Sequence, residues 1–316
     1  MKIDIHTHAF PEQYVANIER RLASPPEMRT HWIWNPDVYL REMDEWGVDV
    51  KVLSMSAPSV YFDDLSLSLD MSRLSNEAYA EICARWPDRF KMFVSVPMGD
   101  ADVSCRELEQ AKSLPGYVGI ALGSNILGKM LDEPAFGTFF KMANAMSAVI
   151  FIHPMGYRAS EFELPEPWKA YRLHHLIGWP LDTTFAISRL VLGGFFDRYP
   201  NLQLIAAHVG GAIPYLSERL ERGFQEGRAK NKPSYYFRKN ILYDTAGPTH
   251  PAIIDCAVKI YGIDRILFGT DYPFGTGQEG MQYMEKAIWN VDHSELSAAD
   301  RAKIFSGNSC KILLGM

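Results

Sequence analysis

Residues 202–211 read LQLIAAHVGG. From Leu202 to Ala207 only Gln203 interrupts the apolar run, so neither face of an extended chain suits water. A strand of this kind belongs in a parallel sheet covered on both sides by helices. The run ends on His208, and Gly210 and Gly211 leave room beside its imidazole. Segments of helical period flank it: 182–199, stopped by Pro200 and Asn201, and 214–228, with Glu and Arg along one face.

The same unit recurs along the chain. Strands are expected at 2–5, 48–55, 90–96, 118–122, 148–152, 202–207, 241–243 and 265–268. Further helical segments are expected at 69–86, 135–146, 251–261 and 281–289. Eight strands, each followed by a helix-sized segment, read as an α/β fold, the (β/α)8 TIM barrel, as one domain over residues 1–316. An open doubly wound sheet is the alternative. No GxGxxG or GxxxxGK[ST] turn follows the first strand, which leaves nucleotide-binding versions without support. Two stretches exceed a minimal barrel, 11–35 and 155–181, both rich in Pro and aromatics. After a strand, such long loops lie over the mouth, so both are expected lids.

The 316 residues suit one large barrel, and 47% hydrophobic content excludes a disordered chain. A net charge of −6 argues against nucleic acid or a membrane surface as partner, though not against a small anionic substrate. Four cysteines with no CxxC pair exclude a disulfide scaffold and a zinc-thiolate site, and point to reduced thiols and a cytoplasmic setting. No apolar signal core opens the sequence and no run of ~18 apolar residues follows.

Chemistry gathers at the strand ends. His6 and His8 form an HxH pair at the end of the first strand, and period-two alternation sends both imidazoles to the same side. His153 ends the fifth strand in FIHP, His208 the sixth, and Asp271 the eighth in LFGTDYPF. Three histidines and a carboxylate suit Zn²⁺, with Mn²⁺ an alternative. His208 would stand beside the ion as a base. Asp244, in LYDTAG, faces the same mouth and could bond His208 or a ligand on the ion.

The set DIHTH, FIHP, AHVGG and FGTDYPF resembles the amidohydrolase superfamily, and in particular the branch that contains aminocarboxymuconate-semialdehyde decarboxylase. Residues 117–140 and 174–223 are similar to that branch over nearly their whole length. The resemblance implies His6, His8, His153 and Asp271 as metal ligands and His208 and Asp271 as catalytic residues. The fourth strand reads GIALGSN, without the lysine that bridges two metals in other branches, which implies a single ion. The branch implies non-oxidative decarboxylation of a small aromatic or unsaturated carboxylic acid, with hydrolysis or hydration of a lactone or related ring-cleavage product as the alternative. His208 would either activate water or share with Asp271 the delivery of a proton to carbon. The branch also implies a homodimer, in which Arg238 or Lys239 could serve a neighbouring subunit.

Substrate anchors are expected in the long loop after the fifth strand and beyond the second. Arg158 and Arg172 could clamp a carboxylate. Arg172 and His175 stand where the branch carries tryptophans. Tyr61 and Phe62 could stack on a planar substrate, and Trp32, Trp34 and Trp179 are lid or core residues. Arg41, before the second strand, is expected as a charge on a helix face, and His31, His250 and His293, which have no partner motif, as surface or structural residues.

Overall fold

Eight strands run parallel in sequence order: β1 Ile3–His8, β2 Val50–Ser54, β3 Phe90–Ser95, β4 Tyr117–Gly123, β5 Val149–His153, β6 Gln203–Ala206, β7 Ile241–Asp244 and β8 Ile266–Leu267. The structure is a computed structural model that describes residues 1–21, 33–155, 170–247, 250–274 and 281–315. The ring closes between β8 and β1. Ile5 N–H donates to Phe268 O (3.0 Å), Asp271 N–H to His6 O (2.9 Å) and His8 N–H to Tyr272 O (2.7 Å). The TIM barrel expected from the alternating pattern is the fold observed.

Helices cover the ring, and several of them are started by a side-chain cap. Asn35 accepts from the N–H groups of Asp37 and Val38 to start Pro36–Trp46, which feeds β2. Asp64 and Asp100 cap Leu65–Arg85 and Ala101–Ala111 in the same way. The 11–35 stretch contains a helix of its own, Glu12–Arg21, and residues 22–32 of it lie outside the described part.

Several boundaries differ from the sequence reading. The helix expected at 182–199 starts at Trp179, directly after a π-helical turn at His174–Gly178, and stops at Leu192. Gly194, at φ 71°, breaks it before the short helix Phe195–Arg198. The segment 214–228 resolves into Ile213–Gly223 and a 3-10 turn, Phe224–Glu226. Helices at Pro36–Trp46, Ala101–Ala111, Pro233–Lys239 and Ala298–Ala302 are additional.

One irregularity places the site. In β1, Asp4 pairs with Lys51 and Thr7 with Leu53, so three steps of β1 span two of β2. Ile5 and His6 therefore share the place opposite Val52, a β-bulge. Ile3 and Ile5 pack with Val52, Phe93 and Phe151 inside the barrel. With regular alternation His6 and His8 would then point outward. The extra residue turns both inward, and Asp4, Thr7 and Lys51 face the helices instead.

Candidate metal centre

His6, His8, His153, His208, Asp244 and Asp271 converge where the strands end. Ligand-type atoms of His6, His153, His208 and Asp271 all lie within 4.8 Å of one another. His8 joins them: His6 Nε2 and His8 Nε2 are 2.9 Å apart, and Asp271 Oδ1 is 3.1 and 3.2 Å from the two. Two donors held roughly 2.1 Å from one ion at right angles stand about 3.0 Å apart, so this spacing suits one shared cation.

Each ring is held with Nε2 toward the centre. His6 Nδ1–H donates to Asp244 Oδ2 at 2.7 Å, and a carboxylate can only accept. His153 Nδ1–H donates to Pro154 O at 2.8 Å. Ser54 gives its hydroxyl proton to Thr7 O and receives His8 Nδ1–H, at 3.2 Å for both bonds. Three Nε2 lone pairs thus face inward. His153 Nε2 and Asp271 Oδ1 have no hydrogen-bond partner. Converging lone pairs beside a carboxylate repel unless positive charge sits among them, and a divalent cation fits that need.

The electrostatics agree. Burial alone would depress His6, but Asp244 and Asp271 overcome it and carry its pKa up to about 10. Burial lowers His8 to about 4 and takes His153 well below the ordinary histidine value. Asp271 is held well below the usual carboxylate range: burial opposes this, and His6, His208 and His8 outweigh it. Two carboxylates draw positive charge into the pocket, where a proton held on His6 in the metal-free protein stands beside neutral His8 and His153.

The backbone is bent to deliver these groups. His208 and Val209 have φ of 56° and 59°, and Asp271 has φ 66°, left-handed values that non-glycine residues seldom adopt. Asp244 Oδ1 accepts from His208 N–H at 2.8 Å, so one carboxylate aims His6 and fixes the turn that carries His208. Gly269 has no room for a side chain, since a Cβ there would lie 2.8 Å from the Cβ of His6. His208 Nε2 lies 3.4 Å from Asp271 Oδ2, and both side chains are 14% exposed, whereas those of His6 and His8 are fully buried. His208 and Asp271 therefore face the open side.

Aromatic rings flank the centre. Phe274 lies 5.2 Å from the His8 ring, and Trp179 lies 5.7 Å from His153. His175 is exposed and stacks on Trp179 at 5.6 Å, which places it over the lip of the site. Arg172 is exposed two residues before His174, with φ 59°. Tyr61 is buried, and its hydroxyl accepts from Gly123 N–H at 3.2 Å, so it braces the end of β4. Arg158 and Trp32 lie outside the described residues. Arg238 donates to Ile260 O and Arg265 to Lys239 O, so both Arg238 and Lys239 sit by the strand starts, at the opposite end of their own barrel.

Sequence reasoning left two roles open or unseen. Asp244 holds His6 as well as His208 N–H, and its place at the end of β7 was the available signal. Lys51, fully buried against Asp4, went unremarked although a lysine in the apolar run VKVLSM pointed to it.

The amidohydrolase family model matches residues 3–314. A 2-amino-3-carboxymuconate-6-semialdehyde decarboxylase of Dictyostelium discoideum is 28% identical over 345 residues, covering 99% of this chain and 91% of that protein. A gamma-resorcylate decarboxylase of a Polaromonas species is 29% identical, covering 90% of this chain and 89% of that one. Among solved structures, a Polaromonas dihydroxybenzoic acid decarboxylase with bound manganese and the inhibitor 2-nitroresorcinol aligns with a TM-score of 0.83. It is 28% identical, with 99% of this chain and 96% of that chain covered.

Proposed function

We propose, from the premise that this chain belongs to the amidohydrolase family, that it is a metal-dependent decarboxylase of a small aromatic or unsaturated carboxylic acid. The observation that carries this reading is the convergence of buried Nε2 lone pairs on Asp271, with His208 and Asp271 alone turned to the open side. His6, His8, His153 and Asp271 would hold one divalent ion. Zn²⁺ suits the histidine-rich set, while the close donor spacing and the manganese of the Polaromonas structure favour Mn²⁺.

When bound, the ion would grip the substrate carboxylate and a neighbouring oxygen and stabilise the negative charge left as CO2 departs. The chain's own groups do the rest. The rings of Phe274 and Trp179, beside His8 and His153, would line the space taken by a planar acid. Arg172 and His175, on the rim, and Arg158, in the same loop, are the candidates for steering a carboxylate inward. Tyr61 would shape the pocket from behind through its bond to Gly123. The bond from ring carbon to carboxylate breaks, its electron pair stays on carbon, and a proton must reach that carbon. Asp271 Oδ2 and His208 Nε2 share the position from which to deliver it.

The test is CO2 release by Zn²⁺- or Mn²⁺-loaded protein from hydroxybenzoates, carboxyvanillate-like acids, carboxypyrimidines and aminocarboxymuconate semialdehyde, with Asp271→Asn as control. Release that the control lacks establishes the reaction and its substrate class. Silence across a metal-replete panel refutes decarboxylation of these acids in favour of lactone hydrolysis or hydration.

The proposal extends to a homodimer in a cytoplasmic setting. Leu176, Phe185 and Tyr215 are 64%, 57% and 86% exposed on neighbouring segments near the mouth, where large apolar side chains invite a partner surface. The four cysteines are unpaired. Light scattering on the native protein and on Phe185→Asp tests the dimer.

A further inference from the structure

Below the metal centre, on the helix-facing side of the barrel, lies a second polar cluster with no solvent access. Asp4 and Lys51 are both 0% exposed, and Lys51 Nζ donates to Asp4 Oδ2 at 2.9 Å. Asp4 Oδ1 accepts from His6 N–H at 3.2 Å and Thr270 N–H at 3.1 Å. Its Oδ2 also accepts from the hydroxyls of Thr7 and Thr270, both at 2.7 Å. The Lys51 ammonium lies 4.0 Å from the centre of the Tyr272 ring, whose hydroxyl donates to Glu42 at 2.6 Å.

A buried ion pair is weak support for stability, because desolvation offsets most of its attraction and apolar residues often serve as well. Its distinguishing property is directional. Asp4 binds the N–H of His6, the residue turned inward by the bulge, and both the N–H and the hydroxyl of Thr270, the residue before Asp271. Those two residues lie on opposite sides of the seam that closes the barrel. We infer that Asp4, held by Lys51, is a positioning residue that sets the separation between the HxH pair of β1 and Asp271 after β8, and so tunes metal affinity from outside the barrel. This rests on the metal-centre reading above. Thr7 touches the same carboxylate but lies within β1, so its bond does not cross the seam.

The experiment compares metal-free wild type, Thr270→Val, Thr7→Val and the charge-neutral pair Asp4→Leu with Lys51→Met. Mn²⁺ affinity is read by calorimetry, the Mn²⁺ electron paramagnetic resonance spectrum of the loaded protein reports ligand geometry, and thermal midpoints report folding. Thr270→Val and the double variant are expected to weaken Mn²⁺ binding about 10- to 100-fold with an altered spectrum. Thr7→Val is expected to bind within threefold of wild type although its midpoint falls as far as that of Thr270→Val. Wild-type affinity and spectrum in Thr270→Val overturn the inference, as does an affinity that merely follows the midpoint across the set. If the double variant does not fold, the two threonine variants decide. His153→Ala separates the premises: wild-type protein that binds no better than His153→Ala refutes the metal centre itself, and the positioning role with it.

Discussion

Replacing Asp244 by Asn keeps the shape of the side chain and reverses half of its hydrogen bonding. Asp244 Oδ2 accepts His6 Nδ1–H at 2.7 Å, while Oδ1 accepts the N–H groups of His208 at 2.8 Å and Ala246 at 3.1 Å. The amide oxygen of an asparagine satisfies two backbone donors only by occupying the Oδ1 place. The NH2 group then faces His6 Nδ1 and demands a lone pair from it. The imidazole must move its proton to Nε2, toward His8 and Asp271, and its lone pair is lost to any ion. The opposite amide orientation restores the lone pair but leaves two buried N–H groups facing an NH2, at about 1–3 kcal/mol each. Binding metal by that second route costs about 2–6 kcal/mol, or roughly 30-fold or more in metal affinity. Asp244→Ala removes the carboxylate without imposing a tautomer, so it should bind metal better than Asp244→Asn. Chelator competition gives the affinities, and nitrogen-15 shifts of the His6 ring report the tautomer. Asp244→Asn that binds within threefold of wild type, or no worse than Asp244→Ala, refutes this account of how His6 is aimed.

Asp271→Asn should abolish CO2 release in protein that still folds, as read by circular dichroism and a coupled CO2 assay, since the same group faces the ion and the substrate. Gly269→Ala places a Cβ 2.8 Å from that of His6 and 3.1 Å from that of Asp244, and overpacking there should cost about 1–3 kcal/mol in denaturant unfolding and weaken metal binding at least tenfold. Metal at 100 times its dissociation constant should stabilise the fold by ~2.7 kcal/mol, and a chelator should reverse the rise in thermal midpoint. Metal-free protein should be most stable near pH 6.5. Below that, the unfolded chain takes up protons that His8, at about 4, and His153 refuse; above it, stability is lost as His6 gives up its proton toward about 10. A midpoint that rises steadily from pH 6.5 to 9 would contradict the His6 part.

The strand ends were readable because two properties coincide there. Runs buried on both faces, such as FI before His153 and LIAA before His208, stop where the chain leaves the sheet, and the next polar side chain lands at the mouth. Helix ends were less readable because tertiary contacts decide them. The helix expected from Asp182 begins three residues earlier, at Trp179. The Asp182 carboxylate instead accepts from the Ser124 hydroxyl at 2.5 Å and from Met155 N–H at 2.9 Å, bracing the turns after β4 and β5. Tyr61 shows the same limit from the other side. Its place after β2 suits a substrate platform, and only the backbone N–H of Gly123, distant in sequence, gives it a second task.

The inward aim of the HxH pair depends on an event that pattern alone does not contain. Period-two alternation correctly puts His6 and His8 on one face, but applied from Ile3 and Ile5 it puts those isoleucines on the other. Both pairs are needed inside: the isoleucines fill the barrel, and the histidines face the centre above them. One extra residue in β1 reconciles the two demands, at the expense of a strand partner for His6 N–H. That N–H requires an acceptor on the outer face, and Asp4 supplies it at 3.2 Å. A carboxylate there requires a counter-charge, and Lys51 is its cross-strand neighbour. The aspartate two residues before His6 and the lysine within an apolar strand are thus consequences of placing two ligands on one strand above a packed core. Asp4→Leu, which keeps the bulk and removes the acceptor, should therefore cost metal affinity even where Lys51→Met restores neutrality.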